Sequence, residues 1–299
     1  MNYQEFKNQL LELLGKEFGQ DITLTVQDIV KNNGIHQDGL TVITESLNVS
    51  PTIYLNHFFR QYENGKPMAE ICHDILCIYR ENRPLNNIDI SFFTNYDNVK
   101  SHIIFKLINY QKNDRLLQDV PHLRLLDLAV VFCCLLKSDY TGNATILIHN
   151  HHLHYWNITT DDLFALAQDN TPRLLKPELR NMADVLCELF CAHSPQKTPA
   201  DVSSSNMYVL TNESKLNGAV CILYPDLLRR FADTHDSDVY ILPSSVHEVM
   251  LISARVKSTP KELNAMVEEV NCSQLMPEEV LSNHAYYYDR QTGQIQATF

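Results

Sequence analysis

Glycine is scarce in this chain, with 8 among 299 residues. Backbone loops that cradle phosphate need closely spaced glycines, and no P-loop or G-x-G-x-x-G spacing occurs, so ATP and dinucleotide binding drop out. H-E-x-x-H, G-x-S-x-G and EF-hand spacings are missing as well. No apolar run approaches the roughly 18 residues that a membrane-spanning helix requires. The opening MNYQEFKNQLLELLGKEFG carries Glu5, Glu12 and Glu17 among its apolar positions, unlike a signal peptide. Basic runs are also lacking: 24 Lys and Arg stand against 36 Asp and Glu, and the net charge of −12 repels phosphate backbones. The expectation is a cytoplasmic chain with no nucleic-acid or membrane partner and no cofactor.

What is present is ordinary globular material. Hydrophobic residues make up 44% and charged residues 20%, enough apolar surface to form a core unaided. The length suits two cores. In a chain that is not secreted the 8 cysteines stay reduced, and most sit inside apolar patterns, where a thiol packs as a small hydrophobe.

Phe6, Leu10, Leu11, Leu13, Leu14 and Phe18 recur at helical spacing and predict a helix over 3–18. Alternation at Ile22, Leu24 and Val26, then Leu40, Val42 and Ile43 beyond two turn signals, predicts a hairpin. Ser50-Pro51 offers a helix start, with extension of the β layer by residues 52–55 before a helix from His57 as the alternative. Met68, Ile71, Cys72, Ile75, Leu76 and Tyr79 line a second long helix, and a third is expected over 98–110. The continuously apolar 125–136 and the run 144–148 read as two central strands, with a helix over 123–136 as the alternative. Thr159 to Asp162 caps a helix ended by Pro172, and Lys176-Pro177-Glu178 opens another to about 190. Residues 192–206, with two prolines and four serines, form the best linker. Beyond it, 207–210, 218–224, 240–242 and 246–252 read as strands, 225–232, 260–270 and 277–281 as helices, and 286–296 as a last hairpin. The fold expected is α+β, with mixed or antiparallel sheets packed with helices, in two closely associated halves: an N-terminal unit over 1–191 and a C-terminal unit over 207–299.

The stretch Asp238 to Ser253 concentrates candidate chemistry, because Pro243-Ser244-Ser245 joins two apolar strands and His247 and Glu248 follow. Strand alternation would put Ser245 and His247 on one face about 7 Å apart, and Glu248 on the other. A hydrolase using Ser244 or Ser245 with His247, assisted by Glu248 where a bulge alters its facing, is one reading. A turn whose hydroxyls satisfy local backbone groups is the other. The run of imidazoles at His149, His151, His152 and His154 offers possible metal ligands, with His151 and His154 sharing a face of a helix, but lacks the intervening carboxylate of an H-E-x-x-H site. Cys187 and Cys191 with His193 are a weaker soft-ligand set, and Glu70, His73 and Asp74 read as a solvent-facing strip on one helix.

Several phrases together resemble an uncharacterised bacterial family, a domain of unknown function found mainly in anaerobic gut Gram-positive bacteria. They are Pro51 to Leu55, Lys106 to Tyr110 with Asn113, Asp127 to Ala129, Asn170 to Pro172, Met207 to Asn212 with Gly218-Ala219, Leu242 to Glu248, Leu281-Ser282 and Tyr288-Asp289. The C-terminal layout is also distantly similar to YtpQ-like proteins. The resemblance implies a shared fold and a cytosolic setting, and carries no activity across. The function expected is protein or peptide binding without catalysis through exposed sheet edges and the 192–206 loop, with a basic partner favoured by the acidic charge. Oligomeric state is left open.

Overall fold

The computed structural model describes residues 1–19, 22–44, 50–83, 91–138, 142–193 and 206–298. It is an α+β protein whose strands form three antiparallel sheets. The chain divides into two compact units: one of residues 1–31, 35–94 and 137–144, the other of 32–34, 95–136 and 145–299. Among the described residues no helix is long and apolar enough to cross a membrane.

In the first unit, helix α1 (Tyr3–Phe18) begins at a capping box in which Asn2 and Glu5 satisfy each other's backbone N–H groups. It is followed by strands β1 (Ile22–Val30), β2 (His36–Thr44) and β3 (Thr52–Tyr54), then helices α2 (Leu55–Glu63), α3 (Met68–Asn82) and the single turn α4 (Ser91–Thr94). The hairpin reverses at Asn33 and Gly34, residues counted with the second unit and both left-handed (φ 62° and 67°), as an Asn-Gly turn demands. Phe6, Leu10 and Leu14 from α1, Leu40 and Val42 from β2, and Ile71 and Ile75 from α3 close one core, with each large side chain contributing about 1.5–3 kcal/mol of burial. The helices and hairpin read from periodicity fall where expected.

In the second unit come α5 (Tyr96–Val99), β4 (Ile103–Asn109), α6 (Asp114–Leu117), β5 (His122–Leu125), β6 (Leu128–Ser138), β7 (Gly142–Leu147), α7 (Asn150–Trp156) and α8 (Thr160–Leu174). After them run β8 (Pro177–Asn181), α9 (Met182–His193), β9 (Met207–Asn212), α10 (Leu227–His235), β10 (Val239–Pro243), β11 (Val249–Ser253), α11 (Pro260–Ser273), β12 (Tyr286–Asp289) and β13 (Gln294–Ala297). One sheet has β6 at its centre, paired with β4, β5 and β7. The larger sheet has the order β13-β12-β10-β11-β9-β8, so β8 and β13 are its edges.

Five expectations need correcting, the first being the helix over 277–281, where 277–279 form a turn and no helix follows. The helix over 98–110 is instead β4 behind a short helical entry: Ile103, Ile104, Phe105, Leu107 and Ile108 are buried on both faces, so alternation is lost and only the β-branched content marks the strand. Pro172 lies inside α8, which continues to Leu174; a proline in a last turn removes only one N–H. Pro177 opens an edge strand, where a missing N–H is also harmless, and the helix starts at Met182. Residues Gly218–Leu223 form a buried 3-10 helix, not a strand.

The division expected at 192–206 also differs from the compact units. Strand β8 before it pairs with β9 after it along the register Pro177↔Asn212 to Asn181↔Tyr208, which puts both flanks in one sheet. Residues 194–205 of that expected linker lie outside the described residues.

Candidate functional site

Strands β10 and β11 pair up to Pro243↔Val249, so Ser244 to Glu248 form the loop of a hairpin and not the start of a strand. The face alternation expected for Ser245, His247 and Glu248 therefore does not apply. Ser244 and Ser245 are buried, at 9% and 6% exposure, among the ends of several elements. Ser244 Oγ donates to the Glu248 carbonyl at 3.2 Å, and Ser245 N donates to the same oxygen at 3.2 Å. Ser245 Oγ accepts from His247 N at 3.0 Å, a Ser-turn that spends the hydroxyl on the backbone two residues ahead. The His247 carbonyl accepts from Thr211 Oγ1 at 2.8 Å, and His247 Nδ1 accepts from Asn217 N at 3.3 Å, which places the ring proton of the neutral imidazole on Nε2. Val246 N reaches the Glu279 carbonyl at 2.9 Å. The Ser245 hydroxyl and the His247 imidazole are thus each engaged with backbone and not with one another.

Gly218 explains why the loop can sit so deep. A Cβ there would overlap Thr211 Oγ1 and the His247 carbonyl and lie 2.9 Å from Asn212 N. Only glycine lets the 3-10 helix approach the loop this closely.

The imidazole run lies at the start of α7. His149 Nδ1 meets Asp119 Oδ2 at 2.7 Å, and His152 Nδ1 accepts from His149 N at 2.9 Å, a capping box closed by an imidazole. The His151 and His152 rings lie 3.9 Å apart between centroids, and His152 stacks on Trp156 at 5.4 Å. Desolvation, with His151 and His149 adding to it, pushes the His152 pKa down to about 4. Among the described residues no group of three or more His, Cys, Asp and Glu is placed to hold a metal ion. The His149 and His151 rings stack at 5.6 Å between centroids, so the fold gathers these imidazoles as ring neighbours. Cys187 is half-buried, while the side chains of Cys191 and His193 lie outside the described residues. Burial pushes the Cys134 and Cys221 thiols up to about 12, which removes them as thiolate nucleophiles. On α3, Asp74 pairs with Lys66 at the surface, as a solvent strip does.

A polar anchor that the sequence reading did not single out joins the two sheets of the second unit. Asp127 accepts from Ser282 Oγ at 2.7 Å and from Tyr286 OH at 2.8 Å, and Asn109 Nδ2 donates to the Leu281 carbonyl at 3.0 Å. Both carboxylate oxygens of Asp127 are occupied, so the cluster holds structure. Its only sequence signal was the phrase resemblance at Asp127 and Leu281-Ser282.

Among the described residues a cleft of about 490 Å³ lies between Leu125, Tyr224, Arg229 and Tyr288, and a second feature with room for a ligand lies at the edge of the large sheet. Pro177 and Leu179 of β8, Tyr208 of β9, and Leu227, Arg230, Phe231, Thr234 and His235 of α10 line a groove of about 440 Å³. Residues 227, 230 and 234 share one helix face by i, i+3 and i+7 spacing. Tyr208, Phe231 and His235 pack ring against ring at 4.2–5.1 Å and form its floor. Leu179 is 43% exposed there. Glu213 N donates to the Lys176 carbonyl at 2.9 Å, so by antiparallel alternation the backbone of Glu178 and Arg180 faces β9 and that of Pro177 and Leu179 faces outward. No strand among the described residues pairs with that outward edge.

A model of the family described as a family of unknown function (DUF5688) matches residues 3–290. No curated protein and no solved structure matches the chain.

Proposed function

Because the chain belongs to DUF5688, a family of unknown function that spans nearly its whole length, its own surface has to carry the functional reading, and we propose a protein- or peptide-binding module without catalysis. In this reading the chain works in a bacterial cytoplasm, the setting that its sequence resemblance suggests. The observation that carries it is the outward edge of β8 beside an apolar groove. An unpaired strand edge offers ready-made backbone hydrogen bonds, and an adjoining apolar groove supplies side-chain contact, the two halves of recognition by strand addition. The hydrolase alternative at Ser244, Ser245 and His247 gains no support from side chains already bonded to backbone.

The test is selection of a random peptide display library on the immobilised full chain, with counter-selection on Leu179→Lys, an exposed position, its thermal unfolding curve recorded to check that the fold is kept. The reading expects enriched peptides that compete with one another and lose most of their binding to the variant. Enrichment of nothing, or of peptides that bind the variant equally well, overturns it.

A further inference from the structure

The groove beside β8 has a charge character opposite to that of the chain. Acidic residues outnumber basic ones by 36 to 24, yet the lining of this groove contains Arg230 and His235 and no carboxylate. Arg230 is exposed and makes no ion pair with a described residue; its guanidinium reaches only the carbonyls of Asp226 and Pro225, at 3.4 and 3.5 Å. Three other arginines of this chain do sit against carboxylates: Arg290 with Asp233 and Asp236, Arg255 with Asp236, and Arg180 with Glu188. A second depression of about 360 Å³ shares Pro177, Leu227 and Arg230 and continues the groove toward Pro172 of α8, with Asp169 at that end. Arg230 therefore stands at the middle of a continuous trough, between an aromatic pocket on one side and Asp169 on the other.

The backbone beside it sets the form of an occupant. Pro177 lacks an N–H, so the outward edge offers the Pro177 carbonyl and both the N–H and the carbonyl of Leu179. Three groups over three residues fit a short extended segment and suit neither a helix nor a compact ligand. The side chains of such a segment alternate, one row facing the groove with Leu179, Tyr208 and Phe231, and spaced so that a neighbouring residue meets Arg230.

We propose, resting on the peptide-binding reading above, that this groove takes an extended segment of a partner protein with apolar residues at alternate positions and an aspartate or glutamate that pairs with Arg230. The net charge of −12 does not forbid this, because at physiological salt charges more than about 8 Å away are largely screened and the local cation decides. The wider field still governs approach, so the remainder of the partner is neutral or basic.

Three fluorescein-labelled nine-residue peptides test it, each alternating valine and threonine and differing only in a central Glu, Gln or Lys, titrated by fluorescence polarisation against the full chain. The Glu peptide is expected to bind about fivefold tighter than the Lys peptide, the ratio of a partly exposed ion pair against a like-charge contact. Arg230→Glu should reverse that order, and Arg230→Gln should level it. Each variant's thermal unfolding curve is recorded as a check that the fold is kept. Equal binding of all three peptides, unchanged by Arg230→Glu but lost in Leu179→Lys, overturns the acidic anchor and leaves strand addition standing. Binding of none of the three overturns the proposal, while the library selection separately decides the peptide-binding reading.

Discussion

Gly218 is the residue whose replacement is easiest to forecast. A methyl group there has backbone on two sides, from His247 and Asn212, and backbone cannot swing away as the end of a side chain can. Gly218→Ala should lower stability by about 1–3 kcal/mol in urea unfolding, the ordinary cost of overpacking a core. Asp127→Ala should cost at least as much, roughly 2–4 kcal/mol, because it leaves the Ser282 and Tyr286 hydroxyls without their charged acceptor. His152 gives the pH dependence. Its folded pKa of about 4 lies below its ordinary 6.5, so between those values the unfolded chain binds a proton that the folded chain refuses. Stability is therefore full above about pH 6.5 and falls as pH drops toward about 4, where the loss saturates. The groups facing His152 are Asp119, His149 and His151. The sole tryptophan, Trp156, stacks on this ring, so its fluorescence should titrate with a midpoint near 4 and lose that step in His152→Asn. None of these roles could be read from residue identity. Ser245 and His247 drew attention because their types suit catalysis, whereas their bonds depend on Gly218, Thr211 and Asn217, brought in from another segment.

At the scale of elements, amphipathic segments were legible and doubly buried or edge segments were not. The α1 and α3 helices and the β1–β2 hairpin each expose one face to solvent, so their periodicity survives in the sequence. Strand β4 is buried on both faces and so resembles a helix core, and β8 is five residues at a sheet edge behind a proline that serves a helix start equally well. The groove was missed for the same reason, since it needs β8 to be a strand. Helix capping was legible: Thr159 Oγ1 accepts from Asp162 N at 3.2 Å while the Asp162 carboxylate accepts from Thr159 N at 2.8 Å. Thr159→Ala should cost about 1 kcal/mol, read as a shift in urea midpoint at unchanged slope.

For the molecule as a whole, the acidic balance and the scarcity of glycine stand in the composition, while the placement of Arg230 beside an apolar groove required three dimensions. The proposed binding at the groove would rest on one ion pair and a short backbone ladder, so its affinity should weaken only modestly, less than about tenfold, between 50 and 200 mM salt, unlike the steep loss that many phosphate contacts give. The decisive measurement is amide-resolved hydrogen exchange on the full chain, alone and saturated with the strongest peptide from the display selection. Strand addition predicts slowed exchange at the Leu179 amide, with the 244–248 loop and β13 unchanged. Protection confined to the 244–248 loop or to β13, with Leu179 exchanging as before, would place the binding elsewhere and contradict it.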